Sequence, residues 1–297
     1  MADTMITAVT ADGFFRVFAV DATATVREAQ RRHDTYPAAT AALGRTLVGT
    51  SLLAAAGLKN ENDLLTVRIQ GDGPVGALVA DGTANGTVRG YVQHPHVNLP
   101  LNQVGKIDVA RAVGHQGILA VTKYVGVGKP FTGQVPLVSG ELGEDFTYYL
   151  AKSEQIPAAV GLSVFVNADN TVQVAGGFMI QALPGATESA LTALETNVKT
   201  LPLVSEMLRQ GLTPRQIATR ATGDDALEVL SETPLRFACT CSKEHFADIM
   251  ATLAPSDLRE MIEKDHGATV TCKFCGSTYA YTEAELSEFL RKAEAHD

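Results

Sequence analysis

The sequence predicts an α+β protein. It divides into a mixed sheet-and-helix core domain over residues 1–182, a helical linker over 183–231 and a small C-terminal module over 232–297. Three observations carry this reading. Short apolar runs separated by turn residues dominate the chain up to Pro184, helical spacing takes over after it, and all four cysteines fall within the last 60 of 297 residues.

The core elements follow in order. "FFRVFAVDAT" (Phe14 to Thr23) and "LLTVRIQGDG" (Leu64 to Gly73) read as strands ended by turn residues. Between them, "TVREAQRRHDTYPAATAALGRTLVGTSLLAAAG" reads as two helices broken near Pro37, the second apolar on most faces and so buried. "GALVADG", "GTVRGYV" and "GILAVTKYVG" have the spacing of antiparallel strands. "SVFVNADNTVQVAGGFMIQAL" (Ser163 to Leu183) reads as a hairpin turning at Asp169-Asn170.

From Gly185 to Thr233 the pattern is helical. Leu191, Leu194, Val198 and Leu201 share a face until Pro202 interrupts; "LVSEMLRQG" stops at Gly211, and Thr213-Pro214 reads as an N-cap with proline at the first helical position. Helices this short are marginal alone in water, so they must dock on something. In the tail, "KEHFADIMATL" and "PSDLREMIEKD" are helices and "ATVTCKFCGSTYAY" is a hairpin whose turn holds two cysteines. Thr282 and Glu285 form a capping box for a last helix. So small a module with a thin core needs a staple.

Composition excludes some functions. The net charge is −9, and the tail from Glu232 holds twelve acidic and seven basic residues, so no nucleic-acid partner is expected. "MADTMITAVTADGFF" lacks the basic start and apolar core of a secretory signal. The most apolar window, Leu43 to Leu58, carries an arginine and falls short of about 18 clean apolar residues, so no membrane is expected either. The expected location is cytoplasmic, where resting disulfides are rare and thiols bind metal or do redox chemistry.

Cys239, Cys241, Cys272 and Cys275 are the strongest signal. Two local pairs on separate turns can present four thiolates tetrahedrally, and an all-sulfur set favours zinc or iron, zinc being the commoner. One zinc per chain is therefore expected. His245 and His266 are near in sequence, but the ligand count is complete without them. The single residue between Cys239 and Cys241 is unusual for a zinc knuckle, and a disulfide across it would be labile, so this pair can bind metal when reduced and oxidise reversibly.

Other motifs carry less. "GDGPVG" (Gly71 to Gly76) leads into a strand, whereas a dinucleotide loop must open a helix, and "GVGKP" (Gly126 to Pro130) lacks the full phosphate-loop spacing. His33, His94 and His96 read as surface or packing residues, and the first 230 positions hold no convincing enzyme. "FMIQALPG" (Phe178 to Gly185) is an apolar patch that reads as core, or as a binding surface if uncovered.

With its Cys-x-Cys, thirty residues and Cys-x-x-Cys, the chain resembles the redox-regulated 33-kDa heat-shock chaperone family of bacteria. "RRHDTYPAATAALGR", "GGFMIQALPGA", "RFACTCSKE" and "CKFCGSTYAY" also look like family segments, so the resemblance spans essentially the whole chain. It implies an ATP-independent holdase, not an enzyme, that binds unfolded or oxidatively damaged client proteins and passes them to ATP-driven chaperones. It implies that the four cysteines bind zinc in a reduced, inactive form. Oxidation would release the zinc, join Cys239 to Cys241 and Cys272 to Cys275, loosen the linker and favour a homodimer. The client surface expected on uncovering comprises Phe178, Ile180, Leu191, Leu194, Val198, Leu201, Met207 and Leu208. A static zinc ribbon, a Cys272-x-x-Cys275 disulfide reductase and a rubredoxin-like iron carrier are the alternatives.

Overall fold

A computed structural model describes residues 2–126 and 128–294. The chain opens with strands β1 (Thr4–Val9) and β2 (Phe15–Asp21) and helices α1 (Thr23–His33) and α2 (Pro37–Gly57). Then come β3 (Leu64–Gln70), β4 (Ala77–Thr83), β5 (Thr87–Val92), α3 (Val109–Val113), β6 (Ile118–Tyr124), β7 (Phe131–Pro136) and α4 (Gly143–Tyr149), which runs into a π-helical turn at Leu150–Glu154. The hairpin β8 (Ala158–Val166) and β9 (Val172–Ala182) leads to α5 (Glu188–Thr200), α6 (Val204–Arg209) and α7 (Pro214–Thr222). After β10 (Glu228–Pro234) and β11 (Arg236–Phe237) come α8 (Lys243–Met250), α9 (Pro255–Glu263), β12 (Gly267–Thr271), β13 (Thr278–Thr282) and α10 (Glu283–Glu294). The α+β expectation holds.

Two compact units result, Met1–Ala238 and Cys239–Asp297. In the first, a five-stranded sheet of order β10-β1-β2-β9-β8 and a six-stranded sheet of order β11-β5-β4-β3-β6-β7 both pack on α2. Although α2 is long and apolar enough to cross a membrane by composition, 89% of its apolar window is buried inside the fold. It lies so close to its neighbours that a Cβ on Gly49 would sit 2.5 Å from the Phe146 ring. Apolar residues all round the helix are thus explained by protein on every side.

The opposite face of the five-stranded sheet carries a second core. Ile6, Val17, Phe178 and Ile180 meet Leu194, Val204, Met207, Leu208 and Ile217 from α5, α6 and α7. The punctuation read from sequence operates here: Thr213 accepts the Gln216 N–H at 3.3 Å, Pro214 opens α7, and Gly211 takes a φ of +84° just past α6. The hairpin turn holds Asn170 at a φ of +65°. The Gly71–Gly76 loop joins β3 to β4, strand to strand. The Gly126–Pro130 motif includes Val127, which lies outside the described residues.

Two expectations are corrected. Residues 228–233 were expected to be helical, but β10 pairs antiparallel with β1, Met5 facing Thr233 and Val9 facing Glu228. As a polar edge strand, largely exposed, it carries no alternation to betray it. The division into linker and tail also shifts. The linker helices belong to the first unit, and so do residues 232–238, because β11 runs parallel to β5 with Arg236 facing Thr87.

The second unit is built on the β12–β13 hairpin, in register from Gly267–Thr282 to Thr271–Thr278. Among the described residues its buried apolar cluster comprises Met250, Leu258, Tyr281, Leu286 and Phe289. The capping box forms as read: Thr282 N–H donates to Glu285 at 2.8 Å and Glu285 N–H to Thr282 Oγ1 at 3.3 Å.

Candidate metal centre

Cys239 and Cys241 lie in the extended stretch before α8, whose first turn is capped by Ser242 accepting the His245 N–H at 3.1 Å. Cys272 and Cys275 lie in the turn between β12 and β13. There the Cys272 N–H donates to Ser277 O at 2.9 Å and the Gly276 N–H to Cys272 O at 2.8 Å. Gly276 supplies the φ of +72° that lets the turn close on itself.

These two turns bring all four sulfur atoms within 4.8 Å of one another, with none in a disulfide. Cys239 Sγ lies 3.8 Å from Cys272 Sγ, and Cys241 Sγ 3.3 Å from Cys275 Sγ. Tetrahedral zinc with Zn–S bonds of about 2.3 Å requires sulfur–sulfur edges of about 3.8 Å, so the cluster fits such an ion. Cys272 and Cys275 are buried, Cys239 and Cys241 half-buried.

The electrostatics of the thiols point the same way. Burial, then the neighbouring thiols, push Cys241 up to about 12, and burial also raises Cys272. For Cys275 burial works upward, but the Ser277 hydroxyl and backbone, with Cys241 and Cys272, outweigh it and bring the thiol down to about 6. Without a cation, one negative charge is favoured and further ones are resisted. A soft divalent ion is the partner that lets all four ionise.

Sequence reasoning missed two tyrosines on β13. Tyr279 donates its hydroxyl to Cys241 O at 3.1 Å, and the same oxygen lies 3.3 Å from Cys241 Sγ. Tyr281 donates to Lys243 O at 2.6 Å, its ring lying under the Lys243 ammonium. Residues two apart on the hairpin strand thus grip residues two apart on the first cysteine segment. The signal was the alternation Thr-Tyr-Ala-Tyr, which places both rings on one face of a strand.

Other residues singled out from sequence are not brought to the cluster. Among the described residues it consists of the cysteines alone; His266 pairs with Glu283 at 2.8 Å and His245 packs against Phe246. In the first unit His96 pairs with Asp34 at an exposed site. Phe178, Ile180, Leu194, Met207 and Leu208 are buried in the second core, with Leu191, Val198 and Leu201 half-buried beside them.

A family model described as Hsp33 protein matches residues 3–282. The chain belongs to the Hsp33 protein family. Its Hsp33 relatives carry the name 33 kDa chaperonin. One from Lacticaseibacillus paracasei is 70% identical over 294 residues, covering 99% of this chain and 100% of the relative. Another from Listeria innocua is 50% identical over 296 residues, covering 99% and 100%. The crystal structure of the 33 kDa chaperonin (heat shock protein 33 homolog) from Thermotoga maritima superposes with a TM-score of 0.92 at 36% identity, covering 100% of both chains. The family resemblance and the α+β fold expected from the sequence are therefore established for this Hsp33 chain.

Proposed function

We propose that the protein is a redox-regulated, ATP-independent heat-shock chaperone, a holdase rather than an enzyme, kept inactive while its four cysteines hold one zinc ion. Membership of the Hsp33 family supports the chaperone class. The observation that carries the switch is the convergence of Cys239, Cys241, Cys272 and Cys275 on one point in a unit with so few buried apolar residues. Bound there, zinc cross-links the two cysteine segments and keeps their sulfurs as thiolates.

Oxidation by a peroxide would join Cys239 to Cys241 and Cys272 to Cys275. Each disulfide surrenders two electrons to one peroxide, whose two oxygens take up protons and leave as two waters. With the thiolates consumed, the ligand set is gone and zinc is released. The change of cross-link matters physically. A link between the segments closes a loop of thirty-odd residues and is worth about 4 kcal/mol in chain entropy, whereas a disulfide within either pair is worth about 2 kcal/mol. Oxidation therefore exchanges a long-range staple for two local ones, and a thin core cannot hold the unit folded.

Unfolding would extend into α5, α6 and α7, short helices stable only while docked. Their departure uncovers Phe178 and Ile180 on the sheet and, on the departing segment itself, Leu191, Leu194, Val198, Leu201, Met207 and Leu208. Such apolar surface suits unfolded client proteins and dimerisation of the activated form, with ATP-driven chaperones receiving the clients later. The setting is cytoplasmic, where reduction can reverse the switch.

The test treats reduced protein with peroxide at mild heat, following metal release with a chromogenic chelator and client aggregation by light scattering in the same samples. Release of one zinc per chain before aggregation is suppressed supports the proposal. Zinc retained, or released with no gain in protection, leaves the tail a static module.

A further inference from the structure

A cleft of about 670 Å³ in the first unit lies away from the cysteine cluster. Arg16 on β2 and Gln181 on β9 are directly opposed across the strand pair, so their side chains stand side by side on the face toward α2. Gln181 is only 8% exposed, yet its amide makes no hydrogen bond among the described residues. Arg16 has no carboxylate partner among them either; its guanidinium lies over the Phe18 ring at 4.7 Å. The other cation of the lining, Lys123, is already paired with Glu154 at 2.7 Å, and Tyr149 closes that group by donating to the same carboxylate at 2.6 Å. Leu53, Leu65, Leu183 and Leu191 provide apolar walls.

The Gln181 amide and the half-buried Arg16 guanidinium both line the cleft and hold no side-chain hydrogen bond among the described residues, so both can receive an anion that enters it. We propose that this cleft binds a small amphiphilic monocarboxylate, its head group on Arg16 and the Gln181 N–H and its aliphatic tail against the leucines. The volume is that of a small-molecule site. A single unpaired cation with Glu154 nearby favours one negative charge over the two of a phosphate head group. Because Leu191 belongs to α5, which is proposed to undock, an occupant opposes that undocking. This consequence rests on the redox reading; the binding itself does not.

The experiment is calorimetric titration of decanoate into reduced, metal-holding full-length protein, with 1-octanol and decyl phosphate in parallel. Saturable binding of one decanoate per chain is expected at a Kd below about 1 mM. Arg16→Gln should weaken it by at least about tenfold, and the neutral and phosphate probes should bind more weakly. Absence of saturable binding, equal affinity in R16Q, or tighter binding of either other probe would overturn the assignment. Should R16Q fail to fold, methyl NMR of the wild-type protein decides: decanoate shifts centred on Leu53, Leu65, Leu183 and Leu191 support the site, and shifts centred elsewhere refute it.

Discussion

Phe146 in the first unit and Phe289 in the second are both buried rings, yet the cores around them differ greatly in size. Phe146 belongs to a cluster that runs through both sheets and surrounds α2, whereas Phe289 shares its core with Met250, Leu258, Tyr281 and Leu286. The larger unit is stabilised by apolar area and holds no cysteine for an oxidant to act on. The smaller one lacks that area and depends on a point where four sulfurs meet. The unit in which the proposed switch begins is the one that hydrophobic burial holds least.

Removing the metal is the strongest way to break the contrast. Chelation, or Cys272→Ser, should unfold the second unit, since structural zinc is worth about 10 kcal/mol or more in small modules. Circular dichroism should lose the helices α8, α9 and α10, with α5, α6 and α7 following as they undock, while the melting transition of the core around α2 persists. A folded metal-free tail would mean that its apolar core suffices.

Phe146→Ala attacks the other side. A cavity at this fully buried ring should cost about 3–5 kcal/mol, read as a lower melting temperature for the first unit, with chelator-titrated metal unchanged. Tyr279→Phe comes next. Losing the donor that holds Cys241 should speed metal loss to a chelator by about tenfold, whereas Tyr281→Phe, which touches no cysteine, should weaken the tail without that acceleration. Equal rates for the two variants would show that Tyr279 only helps to pack the hairpin.

Thr213→Ala removes the α7 N-cap and should cost about 1 kcal/mol. Hydrogen exchange of α7 should rise. Acid has the smallest effect. The Lys243 ammonium, then the Thr282 N–H, hold Glu285 down at about 2 from an ordinary 4.5. This depressed carboxylate contributes stability above pH 4.5 that is lost as the pH falls through about 2. Glu285→Gln should flatten that part of the tail's acid denaturation curve.

Comparison of sequence and structure separates local from distant determinants. Local chemistry was legible: Thr213-Pro214, Gly211 and the Thr282–Glu285 box act within one helical turn, and each does what its neighbours in the chain require. The cysteine spacing likewise located the candidate metal centre, because a tetrahedral sulfur set needs two short turns and little else. The polar edge strand β10 was not legible, since its partner β1 lies more than two hundred residues away and leaves no mark on its composition.

By itself, then, the sequence determined the α+β class, the caps and breaks of the linker helices and the four cysteines of the candidate metal centre, all of which rest on interactions between residues a few positions apart. Only the tertiary structure decided which faces those helices cover, that residues 228–238 return to the two sheets, and that Tyr279 grips Cys241. It also decided that Arg16 and Gln181 stand side by side at the wall of one cleft. Each of these depends on segments distant in the chain being brought together, and hydrogen-bond register and packing, not local periodicity, choose the neighbours.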